Sequence, residues 1–245
     1  MIDRDGHTKH VAIPNQAKSP SSRDEIDGAL LLTPQQASQI MFPANRFEQV
    51  YTYHARAGWW AITADLQWLP IGGMPNEHAL AHIDPGYGAM LLGTKTGVYA
   101  IQANGLAERL GGVEAPSHAI RSFVRIGDTV IAGGDDGLFA ISPSNRITQV
   151  PYGDAEHIGI VLGIVELGFA GLAVVQASNG TFAYEAGGLR RIPDLSSVTG
   201  KFRLMPFPEL GRVLWTYGFL NPSLLFDLAR RDAGGACSLT LTSSH

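Results

Sequence analysis

Three histidines are the residues with the clearest chemical potential. His78, His118 and His157 stand 40 and 39 residues apart, in Asn76-Glu77-His78, Pro116-Ser117-His118 and Ala155-Glu156-His157. Brought together, three imidazoles would coordinate zinc or iron with positions open for water or substrate. Protonated, they would hold a small anion. Glu77 and Glu156 would be the carboxylates that orient such ligands, although alternation along a strand turns neighbouring side chains apart. Duplication alone would also repeat a histidine that only bonds adjacent backbone, and this structural role carries the most weight. His78 and His82 have an HxxxH spacing without a glutamate after His78, so they do not form the zinc-protease helix motif.

Other chemistry is largely excluded. Cys237 is the single cysteine, which rules out an intrachain disulfide and a cysteine-rich zinc site. Asp135-Asp136 falls where the preceding copy of the repeat has Lys95-Thr96, so it reads as a hairpin turn. No Gly-x-Ser-x-Gly elbow occurs and no serine has an assignable base. Neither GxGxxG nor a lysine-bearing phosphate loop is present. A formal charge of -4 and only two short basic pairs, Arg190-Arg191 and Arg230-Arg231, argue against nucleic acid as a partner. The stretch Met1-Ile2-Asp3-Arg4-Asp5 places acidic residues where a signal peptide would have basic ones, so no signal peptide is expected there, and no uncharged run is long enough for membrane insertion. The expected location is cytoplasmic. Among the aromatics, Tyr51, Tyr53, Trp59 and Trp60 read as core, and Trp68 as the exposed candidate for contacting a ligand. No cofactor is expected, with zinc or iron at the histidines as the exception.

The elements that must position these residues come from a repeat. Leu92-Gly93-Thr94-Lys95-Thr96-Gly97-Val98-Tyr99-Ala100-Ile101 recurs as Ala132 to Ile141 and again as Val175 to Tyr184. Each copy ends in a polar turn and a short strand. At 45% hydrophobic and 16% charged residues the chain can bury a core, while 29 glycines and 14 prolines break nearly every window that a helix would need. Short strands with tight turns in about 40 residues are the size of one propeller blade. The expected fold is therefore all-β, a single β-propeller domain over 1–245 with five or six four-stranded antiparallel blades, incomplete at the ends. The units run approximately 15–75, 76–115, 116–153, 154–195 and 196–245, with residues 1–14 as the final strand of a shared blade. Pro34 to Gln39 is expected as one helical turn, and Asn221 to Arg231 as a short helix.

The glycine, short loop, glycine, aromatic and apolar pattern of Gly93 to Ile101 and Gly133 to Ile141 resembles the WD40-like propeller superfamily. It is most similar to the two-component-regulator type of repeat found in bacterial sensor ectodomains. The likeness covers roughly Trp59 to Pro193 and lacks the Gly-His and Trp-Asp signatures. What it implies is a binding scaffold recognising a small molecule or a peptide or protein at the mouth of a central channel. The alternatives are a metal-dependent lyase, hydrolase or oxygenase built on the histidine ring, and a structural fragment of a larger propeller.

Overall fold

A computed structural model describes residues 25–26, 29–30, 49–54, 58–63, 67–112, 115–153, 157–167, 173–185, 187–192, 203–207, 212–216, 224–229 and 238–244. Every regular element among them is a β-strand. β1 (Glu25–Ile26) and β2 (Ala29–Leu30) form a two-stranded ribbon. The first sheet holds β3 (Val50–His54), β4 (Gly58–Ile62) and β5 (Trp68–Pro70). The second holds β6 (Ala81–Ile83), β7 (Met90–Thr94), β8 (Gly97–Ile101) and β9 (Ala107–Arg109). In the third are β10 (Ile120–Ile126), β11 (Thr129–Gly134), β12 (Gly137–Ile141) and β13 (Ile147–Gln149). In the fourth are β14 (Val161–Glu166), β15 (Ala173–Ala177), β16 (Gly180–Glu185) and β17 (Gly188–Arg191). The fifth comprises β18 (Arg203–Phe207), β19 (Arg212–Thr216), β20 (Leu224–Ala229) and β21 (Ser238–Ser244). Within each sheet the strands follow chain order and pair antiparallel.

Asn221 to Arg231, expected as a short helix, contains β20 instead. Its backbone groups are paired with β19 on one side and β21 on the other, so the internal bonds of a helix are not needed. The expected final strand in residues 1–14 and the helical turn after Pro34 lie outside the described residues.

The recurrence in sequence has a conformational basis in the turn between the third and fourth strands. Gly105, Asn145 and Gly187 occupy it in successive sheets with φ of 79°, 61° and 83°. Asn145 is the one described non-glycine residue in this left-handed region. Asparagine is among the few side chains that tolerate it.

The second and third strands of each central sheet are buried on both faces, which is why they read as continuous apolar runs rather than alternations. Their side chains form three clusters, each shared by two consecutive sheets. Tyr51, Tyr53 and Trp59 of the first sheet pack with Ala79, Met90 and Leu92. Leu91, Val98 and Ala100 of the second pack with Ile120, Val130 and Phe139. Ile131 and Leu138 of the third pack with Val161, Val175 and Phe182. The strands that begin the second, third and fourth sheets, β6, β10 and β14, lie next to one another, with β10 between the other two.

Register aligns the sheets residue by residue. Ala81 pairs with Gly93, Ser122 with Gly133 and Gly163 with Gln176. In the next pairing Gly93 faces Val98, Gly133 faces Leu138 and Gln176 faces Thr181, and the first sheet has Tyr53 facing Trp59. Gly93 and Gly133 are required by close approach. A Cβ on Gly93 would lie 2.6 Å from the Ile120 carbonyl oxygen, and one on Gly133 would lie 2.4 Å from Val161 Cγ1.

Candidate functional site

Each central sheet begins with a short irregular lead-in to its first strand, and the turn between the second and third strands clasps it. In the second sheet the Thr96 hydroxyl donates to Glu77 Oε1 at 2.7 Å. In the fourth, Ser178 Oγ accepts from the Ile160 amide at 3.0 Å, and the Asn179 amide donates to the Ile158 carbonyl at 3.2 Å. Arginines on the last strand brace the same turns. Arg109 donates from Nε to the Thr96 carbonyl and from Nη2 to the Pro116 carbonyl, both at 3.1 Å, tying the second sheet to the lead-in of the third. Its counterpart Arg191 donates to the Asn179 carbonyl.

The third sheet has the most polar version. Asp136 Oδ2 accepts the amides of Ser117 (2.8 Å) and His118 (2.9 Å) and the Ser117 hydroxyl (3.2 Å). Asp136 Oδ1 lies 2.6 Å from His118 Nδ1. Burial pushes the Asp136 carboxyl upward, but the Ser117 amide, the His118 ring and the His118 amide outweigh it and hold the group below the ordinary carboxylate range. The neighbouring Asp135 pairs with Arg121, Nε to Oδ1 at 2.9 Å and Nη2 to Oδ2 at 3.3 Å, and that bond raises the already high guanidinium pKa. The pair of aspartates is the expected hairpin turn, with both carboxylates in use.

Ser117, His118 and Asp136 share the residue types of a hydrolytic triad without its geometry. Ser117 Oγ lies 3.0 Å from Nδ1 of His118, the same ring nitrogen that faces the carboxylate. A relay needs the hydroxyl on one nitrogen and the carboxylate on the other. Nε2 has no partner among the described residues, and 66% of the His118 side chain is exposed.

The strand register places the other candidates. Counting back from Ala81, Ser122 and Gly163, His118 aligns with Glu77 and Gly159, His78 with Ala119 and Ile160, and His157 with Pro116 and Pro75. The three histidines are therefore not equivalent, and they have different surroundings. The His78 ring meets Tyr53 edge-on at 4.6 Å, inside the joint between the first and second sheets. There Tyr53 donates to Asn76 Oδ1, and Trp59 Nε1 to the Glu77 carbonyl. Burial and the Glu77 charge both raise the Tyr53 phenol above its usual value. His157 is exposed at the start of its lead-in. Among the described residues no three His, Cys, Asp or Glu side chains are grouped as a metal would require. Trp68 is partly buried on β5, edge-on to Trp60 at 6.0 Å, with its Nε1 buried and without a partner among the described residues.

The register also reveals a feature that spacing in the sequence does not. β10 and β14 each carry a bulge, at Arg121 and Leu162, and the aligned residue before β6 is Leu80. All three are exposed, Leu80 and Leu162 at 37% each. Leu80 and Leu162 are two of the four large apolar residues exposed among the described residues, and a third, Ile160 (42%), lies two residues before Leu162, in the lead-in to β14.

The sequence matches no protein-family model and no curated relative. Solved structures give remote likenesses. One is the extracellular domain of BT4673 from B. thetaiotaomicron, described both as a hybrid two component and as a one component system. It has a TM-score of 0.53 and 15% identity over 82% of this chain and 27% of that one. A second is AFV00434, an ancestral GH74 enzyme, with a TM-score of 0.52 and 14% identity over 82% of this chain and 30% of that one. A chain of the Mitotic Checkpoint Complex reaches a TM-score of 0.59 at 10% identity, over 89% of this chain and 71% of that one. The chain thus spans under a third of the length of the first two. What these likenesses carry is the fold, an all-β arrangement of successive antiparallel sheets. Among the described residues no helix is long and apolar enough to cross a membrane.

Proposed function

We propose that this chain is a β-propeller of the WD40-like kind, or a large part of one, acting as a binding module. Its ligand, a small molecule or a peptide, is met at the rim where the first strands of successive blades begin. The propeller reading is supported by four consecutive four-stranded sheets in up-and-down order and by first strands lying side by side. The observation that carries the binding surface is the row Leu80, Arg121 and Leu162, aligned at one register position just before β6, in β10 and in β14, all exposed.

A thermal-shift screen of the full chain against peptide and small-molecule libraries tests this reading. Hits should stabilise the native chain and lose that effect in the double variant Leu80→Ser with Leu162→Ser. Hits that stabilise the variant equally would place binding elsewhere. A crystal structure in which the sheets share no common axis would remove the propeller.

A further inference from the structure

We propose that Asn179 is a site of spontaneous deamidation, at which the Gly180 amide displaces ammonia from the Asn179 side chain and the Arg191 guanidinium activates that amide. The chain has two Asn-Gly pairs, Asn104-Gly105 and Asn179-Gly180. This dipeptide is the most prone to the reaction, because glycine puts no side chain in the way of its own nitrogen. The fold treats the two pairs differently. Asn104 Oδ1 accepts from the Leu106 amide and the Gly105 amide donates to the Gln102 carbonyl, both at 3.0 Å, so the electrophile and the nucleophile are each held. Asn179 is exposed, and its carboxamide has no partner among the described residues. Gly180 meets Ala177 in the last pair of its ladder, which opens without disturbing any other pair.

Arg191 supplies the activation. It donates to the Asn179 carbonyl oxygen, which belongs to the same peptide group as the Gly180 N–H, and its guanidinium carbon stands 5.7 Å from the centre of the Phe182 ring. A cation on that oxygen stabilises the amide anion, so the N–H gives up its proton more readily. The Gly180 nitrogen then bonds to Asn179 Cγ, the Cγ–Nδ2 bond breaks, and ammonia leaves with the proton. Water opens the resulting succinimide ring at either carbonyl, giving an aspartyl or an isoaspartyl linkage. The site lies in the clasp of the fourth lead-in, where the Asn179 amide donates to the Ile158 carbonyl and a Cβ on Gly159 would lie 3.2 Å from Asn179 Cγ. An isoaspartyl linkage adds a methylene to the backbone of this turn and releases the clasp. An aspartyl linkage puts a carboxylate at the position that Asp136 holds in the third sheet.

Peptide mass spectrometry of the full chain, incubated folded at mildly alkaline pH and in parallel unfolded in urea, tests this. In urea the two asparagines should convert at similar rates. In the folded chain Asn179 should convert at least about tenfold faster than Asn104, whose two hydrogen bonds must break first. Isoaspartyl and aspartyl products should both appear, as opening of a succinimide requires. Arg191→Gln should slow Asn179 about five- to tenfold and leave Asn104 slow, which also shows that the variant is folded. Arg191→Lys, which keeps the cation, should recover part of the rate. Equal rates at the two asparagines in the folded chain, or an inert Asn179 while the unfolded chain converts, would overturn the site. An aspartyl product alone would mean direct hydrolysis and overturn the attack by Gly180. An unchanged or faster Asn179 in Arg191→Gln, with Asn104 still slow, would overturn the activation by Arg191.

Discussion

The joint between the first and second sheets and the two joints that follow it solve one packing problem in opposite ways. At the later joints the second-strand position is glycine, and the next sheet fills the space with a β-branched residue, Ile120 against Gly93 and Val161 against Gly133. At the earlier joint that position is Tyr53, and the residue aligned with Ile120 and Val161 is Ala79, in the same cluster. Large meets small in every case, with the direction reversed. What is maintained is the sum across the joint, as expected where interiors are close-packed and neither voids nor overlaps are tolerated.

Removing the large partner should have the greatest effect. Tyr53→Ala deletes a buried ring, its edge contact with His78 and its bond to Asn76, and is expected to destabilise the chain by about 3 to 4 kcal/mol in urea denaturation. The reversed arrangement can be built directly. Ala79→Ile alone should destabilise by overpacking against Tyr53, but in a Tyr53→Gly background it should restore about 1 kcal/mol. If Ala79→Ile is equally harmful in both backgrounds, the two residues are not complementary and the comparison fails.

The glycine joints should break with a much smaller chemical change. Gly93→Ala places a methyl group 2.6 Å from a backbone oxygen that no side-chain rotation can move, and about 2 kcal/mol of destabilisation is expected. At Gly58, where a Cβ would meet nothing within 4 Å, the cost comes from its φ of 76° alone and should be the lesser. Similar losses at the two positions would mean that the joint gives way to the added methyl group and that close approach does not demand the glycine.

At the rim the comparison is between clasps, Thr96 with Glu77 in the second sheet and Asp136 with four donors in the third. Asp136 has a depressed pKa in the folded chain, so its contribution is present above the unfolded value of about 3.9 and is lost as the pH falls through the lower folded value. Wild type should therefore melt above Asp136→Asn at neutral pH, and the gap should close below about pH 4. A gap independent of pH would show that the carboxylate's charge contributes nothing to the clasp.

The strands and turns were legible because their causes are local. Glycine or asparagine marks the turns, and runs such as Leu138 to Ile141 mark strands buried on both faces. The histidines misled for a reason equally physical. The turn glycines Gly97 and Gly137 are 40 residues apart, whereas the first strands align at 41, Ala81 with Ser122. A slip of one residue along an extended segment changes which way a side chain faces, so His78 joins the packing beside Tyr53 while His118 turns to Asp136. The exposed row of Leu80, Arg121 and Leu162 escaped for the same reason. Asn221 to Arg231 failed differently, because its strand is set by partners on both sides and not by its own sequence.

The far face of the fourth sheet extends the comparison of joints by one more position. Where the other sheets present Tyr53 with Trp59, Gly93 with Val98 and Gly133 with Leu138, this one presents Gln176 with Thr181, both buried. Thr181 is wholly buried, and its Oγ1 has no partner among the described residues. A hydroxyl taken from water without a replacement bond is destabilising, and valine has nearly the same shape without it. Thr181→Val should therefore raise stability by about 0.5 to 1 kcal/mol, where the same exchange at the bonded Thr94, whose hydroxyl meets the Gly97 carbonyl and the Thr96 amide, should lower it. A loss at both positions would mean that the Thr181 hydroxyl is bonded in solution, and that this face is a polar joint with its groups satisfied.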